Sequence, residues 1–282
     1  MVPREAALAA WRGRGAEAWS HSVRVETVSC AGCRESRLDF PFTMAFQPVI
    51  DLHESRIDSH EALVRGPAGE GAGSILAKVN ESNLYAFDQA CRVKAIEMAS
   101  RLGLDCHLNI NFLPNAVYEP RACIRRTLEA AASTGFPLDR LTFELTEDER
   151  IADEAHIRGI IAEYRRHGFR IALDDFGTGH SGLARLAALK PDCVKLDRAV
   201  VKDCDTDRVR LAIVASMVGL AREIGIKLVV EGVERIGEVE ALRAAGVRYM
   251  QGFYFARPVF EGIARDADIP WPAASMQTLG QA

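Results

Sequence analysis

Residues 170–179 read Arg170-Ile171-Ala172-Leu173-Asp174-Asp175-Phe176-Gly177-Thr178-Gly179. A four-residue run ends in two adjacent carboxylates, followed at once by glycines able to take positive φ. Neighbours within a strand face opposite sides, so both acids can serve one site only if the strand ends there and turns. Similar short apolar runs lie on either side: Ala45–Leu52, Ile57–Val64, Cys106–Phe112, Leu141–Leu145, Cys193–Leu196, Lys227–Val230 and Tyr249–Phe255. Their mostly continuous apolar character suits strands buried on both faces, as in a parallel sheet covered by helices. The first two runs are separated only by a short His-Glu-Ser-Arg stretch and are expected to pair antiparallel as a hairpin. Most later runs are separated by helix-length segments. In 209–224, Leu211, Val214, Met217, Val218, Ala221 and Ile224 repeat at helical spacing, with Asp207 as N-cap and Gly225 as the C′ glycine. Eight such strands predict an α/β fold, a modified (β/α)8 TIM-type barrel with an antiparallel first strand; a doubly wound open sheet is the alternative.

The chain has 282 residues, 48% of them hydrophobic, and a formal net charge of −4. That composition is ordinary for a globular protein and excludes a disordered one. It also disfavours a nucleic-acid polymer as partner. No run of about 18 apolar residues suggests a membrane span, and the first residues do not form a signal peptide. Seven cysteines, an odd number with five of them (Cys91, Cys106, Cys123, Cys193 and Cys204) scattered among apparent core elements, read as reduced thiols, and a cytoplasmic location is expected. Three segments are expected: a short N-terminal arm over 1–40 carrying Cys30-Ala-Gly-Cys33, a barrel domain over 41–262, and a loosely held tail over 263–282.

What ends the apolar runs is informative. Glu61, Asn109, Glu144, Asp174-Asp175, Lys195, Glu231 and Gln251 fall in or at the ends of successive runs. From Glu61 to Gln251 their spacings are 48, 35, 30, 21, 36 and 20 residues, close to the pitch of βα units. In a parallel barrel such positions converge on the C-terminal rim, where the chemistry of this architecture resides. Five carboxylates and an asparagine on one rim would repel each other unless they surround hard divalent cations, which prefer oxygen ligands. One carboxylate bridging two ions is the arrangement used for in-line displacement at phosphorus. The residues therefore point to a metal-dependent phosphate-ester hydrolase, favoured over barrels that enolise carboxylic acids with a strand-end lysine and Mg2+.

Phe46-Gln47-Pro48, Glu61-Ala62-Leu63-Val64-Arg65, Glu144-Leu145-Thr146-Glu147, Asp174-Asp175-Phe176-Gly177-Thr178-Gly179, Lys195-Leu196-Asp197, Glu231-Gly232-Val233-Glu234 and Gln251-Gly252-Phe253 together resemble the ordered signature of EAL domains. These are bacterial phosphodiesterases of the second messenger cyclic di-GMP. The resemblance runs from about Phe46 to Pro258. It implies two Mg2+ or Mn2+ ions per site. Glu61, Asn109, Glu144 and Asp174 would ligate the first, and Asp174 would bridge to a second held also by Asp175 and Glu231. Lys195 would orient or help activate the attacking water, with Glu61 and Glu231 in the catalytic set, and Gln251 would hold a metal-bound water. Gln47 and Arg65 would touch the substrate. Glu147, Thr178 and Ser181 belong to a loop region that in this family helps build a dimer contact and couples it to activity.

The implied reaction is hydrolysis of cyclic di-GMP to linear pGpG, lowering the messenger in bacterial signalling, by a homodimer with no membrane partner. The class alternative is a non-catalytic cyclic di-GMP receptor or an antirepressor-like domain that binds a protein. Every expected metal- or water-binding position keeps its chemical type, which favours the enzyme. Two departures from the common pattern are Gly179-His180-Ser181-Gly182 in the loop and Asn111 where a serine is frequent.

The remaining signals are weaker. Cys30 and Cys33 have zinc or redox spacing without a second pair nearby, and unremarkable thiols are the better expectation. His107 and His180 are expected near the rim but not as ligands. Trp11 and Trp19 suggest one face of a short helix. Only about 40 residues precede the barrel, too few for an independent sensor core, so regulation is expected through dimerisation, the arm or a regulatory protein in trans.

Overall fold

The computed structural model describes residues 38–117, 119–146, 154–179 and 182–272. Cys30, Cys33, Trp11, Trp19, Glu147, His180, Ser181 and the end of the chain from 273 lie outside the described residues.

Strands β1 (Thr43–Asp51) and β2 (Arg56–Arg65) form the expected antiparallel hairpin. Asp51 holds its turn, its carboxylate accepting from the backbone of His53 and Glu54. From β2 the sheet runs parallel through β3 (His107–Asn111), β4 (Leu141–Thr146), β5 (Arg170–Phe176), β6 (Cys193–Leu196), β7 (Lys227–Val230) and β8 (Tyr249–Met250). β8 then pairs antiparallel with β1, closing an eight-stranded barrel. A ninth short strand, β9 (Val259–Phe260), adds to the free edge of β1 near Ala45 and Phe46. The open-sheet alternative is thereby excluded.

Eight helices are described. A short α1 (Ala72–Leu76) precedes α2 (Leu84–Arg101), and α3 (Pro120–Thr134), α4 (Glu154–Arg166) and α5 (Gly182–Leu189) follow β3, β4 and β5. The short α6 (Arg198–Val201) leads into α7 (Arg208–Ile224), and α8 (Ile236–Ala244) follows β7. α7 is capped as its sequence indicates: the Asp207 carboxylate accepts from the backbone of Val209 and Arg210, and Gly225 takes φ 71°. Val214, Met217 and Ala221 form its buried stripe.

The barrel interior is layered. Val49, Ala172, Cys193 and Val229 form a separate apolar cluster from four strands. Two residues further toward the rim on the same faces stand Gln47, Asp174, Lys195 and Glu231, with Gln47 lying on the reversed β1. The polar layer thus rests on a dry floor. The larger core, including Phe112, Phe143 and Tyr164, fills the space between strands and helices.

Three expectations are corrected. The apolar run Tyr249–Phe255 supplies only a two-residue strand. Beyond Met250, Gly252 lies so close to Val233 that a Cβ there would come within 2.0 Å of its carbonyl oxygen, and the chain turns instead of extending. His107 opens β3 and so sits at the end of the barrel away from the rim, beside Arg170, which opens β5. The segment after 262 is packed in its described part: Ala264 and Ile269 are buried, and the Asp266 carboxylate accepts from the backbone of Ile57.

Candidate active site

The site begins with β5. Its strand does not stop at Leu173 but continues to Phe176, and its register against β6 shifts between Leu173 and Phe176. Asp175 takes φ 53° within this irregularity, a left-handed conformation that Asp adopts more readily than most residues. The break therefore falls at Asp175 itself, ahead of the glycines. It brings both acids to one side: oxygens of Asp174, Asp175 and Glu231 lie within 4.8 Å of one another.

A second acidic group consists of Glu61, Glu144 and Asp174, again with oxygens within 4.8 Å of one another. Asp174 belongs to both groups. Between them lies the Lys195 ammonium, 3.0 Å from Glu61, 3.1 Å from Glu144, 3.1 Å from Asp174 and 2.7 Å from Glu231. Lys195 is fully buried. Asn109 donates to Glu144 at 2.9 Å, Asn111 to Glu61 at 3.0 Å, and Gln251 to Glu61 at 2.9 Å.

One ammonium among four carboxylates leaves the cluster strongly negative, and its titration reflects that. Burial pulls the Lys195 pKa down, but Asp174, Glu144, Glu231 and Glu61 outweigh it and hold the value well above lysine's usual range. Burial pushes Glu144 and Glu231 well above the usual carboxylate range, and repulsion from the neighbouring acids adds to it despite Lys195. Asp174 is raised for the same reasons. Glu61 moves the other way, since Lys195, Gln251 and Asn111 together overcome its burial. Asp175 is raised to about 6 by burial and by the charges of Asp174 and Asp197. The group as a whole calls for added positive charge.

A cavity of about 320 Å³ opens over these groups. Gln47 lines it, but both ends of its amide are engaged: the nitrogen donates to the Ala256 carbonyl at 3.1 Å and the oxygen accepts from Gln251 at 3.4 Å. The Gln251 Oε1 atom is buried without a partner. Arg65 is not among the residues lining this cavity, and its guanidinium donates to the Val64 carbonyl. Thr178 is exposed and donates to the Asp175 carbonyl at 2.8 Å. Asp197, Arg198, Glu234 and Phe253 also line the cavity and were not singled out as site residues from the sequence. Arg198 joins Gly232 and Glu234 to the start of α6, and Phe253 is 44% exposed with Arg257 stacked over its ring. Their positions just after the charged residues of Lys195-Leu196-Asp197, Glu231-Gly232-Val233-Glu234 and Gln251-Gly252-Phe253 were the available signal.

An EAL domain family model matches residues 36–258. The chain belongs to the EAL domain family. A standalone versatile EAL protein from Vibrio cholerae O395, solved in a c-di-GMP-bound form, is 48% identical with a TM-score of 0.79, the match covering 81% of this chain and 97% of that one. Klebsiella pneumoniae BlrP1, solved at pH 9.0 as a manganese/cy-diGMP complex, is 33% identical with a TM-score of 0.76, over 82% of this chain and 59% of that one. Two Escherichia coli K12 relatives are each 28% identical over 230 residues. The probable cyclic di-GMP phosphodiesterase PdeN is matched over 77% of this chain and 43% of its own length. The blue light- and temperature-regulated antirepressor BluF is matched over 81% of this chain and 56% of its own length. Among the first curated relatives, this EAL chain spans from 26% to 56% of the relative's length.

Proposed function

We propose that this EAL domain is a cyclic di-GMP phosphodiesterase, dependent on Mg2+ or Mn2+, that yields linear pGpG. The observation that supports it most is the pair of acidic groups sharing Asp174 at the barrel mouth. The donor set is all oxygen and carries excess negative charge, which fits hard divalent cations, and the unpartnered Gln251 Oε1 adds a polar atom at the site. Glu61, Asn109, Glu144 and Asp174 would hold one ion, and Asp174, Asp175 and Glu231 the other. Bound ions supply Lewis acidity and offset the charge of a phosphodiester.

The residues of the chain do the rest. Lys195, set between Glu61 and Glu231, orients a water for attack on one phosphorus, and an adjacent carboxylate receives its proton. The water oxygen bonds to phosphorus, the 3′ oxygen leaves with a proton, and the ring opens to pGpG. A cavity of about 320 Å³ accommodates the reacting diester more readily than the whole dinucleotide, so the bases extend along the rim. Phe253 offers an apolar face there, and Arg65 a cation close to the strand end.

The same reading includes a homodimer. Leu183 on α5 and Val209 and Ile213 on α7 are 64%, 69% and 46% exposed and line one apolar groove. Contiguous apolar surface of this kind marks association sites. A cytoplasmic setting accords with helices of which none, among the described residues, is long and apolar enough to cross a membrane.

The decisive experiment incubates purified protein with cyclic di-GMP and Mg2+ or Mn2+ and separates the products. pGpG is expected, and Glu61→Ala or Asp174→Asn should abolish it. Tight binding of the nucleotide without product would make the domain a receptor, and neither binding nor turnover would favour a protein-binding role such as BluF's name describes.

A further inference from the structure

Asn109 and Asn111 are two residues apart on β3, so both side chains face the barrel interior. Each donates to a different carboxylate: Asn109 to Glu144 on β4, and Asn111 to Glu61 on β2. The two oxygens of Glu61 are held differently. Its Oε2 accepts from Lys195 at 3.0 Å and from Gln251 at 2.9 Å. Its Oε1 accepts from Asn111 at 3.0 Å.

The terminal torsion of a glutamate is broad and nearly two-fold, so donors at one oxygen leave the plane of the carboxylate loosely set. A donor at the other oxygen fixes that plane. Asn111 is moreover a neutral donor, so it orients Glu61 without offering a charge that competes with an incoming cation.

Resting on the reading of a divalent-cation site above, we propose that Asn111 is a positioning residue that sets the Glu61 carboxylate for a divalent ion. Partners of metal ligands commonly change affinity about 10–100-fold. Asn111 is exposed at the mouth, which places the expected effect near the lower end of that range.

The test titrates Mn2+ alone into chelator-stripped full-length protein by calorimetry, comparing wild type with Asn111→Ala and Asn111→Leu, the second keeping bulk without the donor. Both variants should bind Mn2+ about tenfold more weakly, while their melting temperatures in chelator stay near wild type. In turnover assays the Mn2+ concentration for half-maximal rate should rise, with the rate at saturating Mn2+ largely retained. Wild-type affinity within twofold in either variant would overturn the proposal and leave the site reading intact. Failure of the wild type itself to take up Mn2+ would instead remove the site reading, and this proposal with it.

Discussion

Lys195 carries a single positive charge into the closest part of the acidic rim, within 3.1 Å of four carboxylates. Without other cations it is the main compensation for them. Removing one partner of a buried ion pair costs about 3–5 kcal/mol because the remaining charge is stranded. Lys195→Met should therefore lose about that much in denaturant unfolding with chelator present, and saturating Mn2+ should recover part of it. An equal loss with and without Mn2+ would separate the lysine from the cation site. Asp175 supplies a pH test. Its carboxyl is raised to about 6 in the fold from the ordinary aspartate value of 3.8, so between those values the folded chain keeps a proton that the unfolded chain releases. Stability from this group is present below about 4 and is lost as pH rises through 6, whereas cation binding requires the ionised form. Glu144, Glu231 and Asp174 are raised as well, so affinity for Mn2+ should fall at least about tenfold per unit below pH 6, measured by titration at pH 5 and pH 7, and Asp175→Asn should lessen that dependence without removing it.

Elements differ in how much of their form a one-dimensional reading could find. The hairpin was legible because its linker is too short for a crossover, and α7 because its apolar spacing, Asp207 and Gly225 all give the same boundaries. The end of β5 was not. The sequence places a turn at Gly177, but the chain departs from strand geometry at Asp175, where register against β6 shifts. That choice depends on a neighbouring strand distant in sequence. β8 was overextended for a similar reason: Gly252 is pressed against the backbone of Val233, a contact no local pattern announces. Gly252→Ala should destabilise by about 1–3 kcal/mol through overpacking and should also impair turnover, since Gln251 adjoins it. Asp207→Ala, which removes the cap of α7 at a residue that does not line the mouth cavity, should cost about 1 kcal/mol and leave turnover unchanged. Parallel thermal melts and product assays distinguish the two.

At the scale of the whole molecule, closure of the barrel is what turns scattered charges into a site. Glu61 and Glu231 are 170 residues apart, yet each is an ion-pair partner of Lys195. The outer surface carries the other prediction. If the groove on α5 and α7 covers a second copy, Leu183→Lys with Ile213→Lys should shift the protein to a monomer in sedimentation. An unchanged mass would assign the groove to something else.

The sequence by itself determined the barrel class, the antiparallel entry strand, and the strand-end acids that stand around Lys195. Those rest on local periodicity and on the even recurrence of polar side chains at strand ends. Only the tertiary structure decided that the strand departs at Asp175, that Asn111 holds Glu61, that Gln47 is engaged with Gln251, and that His107 lies at the opposite end. Each of these depends on register and direction between strands far apart in the chain, and hydrogen bonds between such strands form only when the sheet closes.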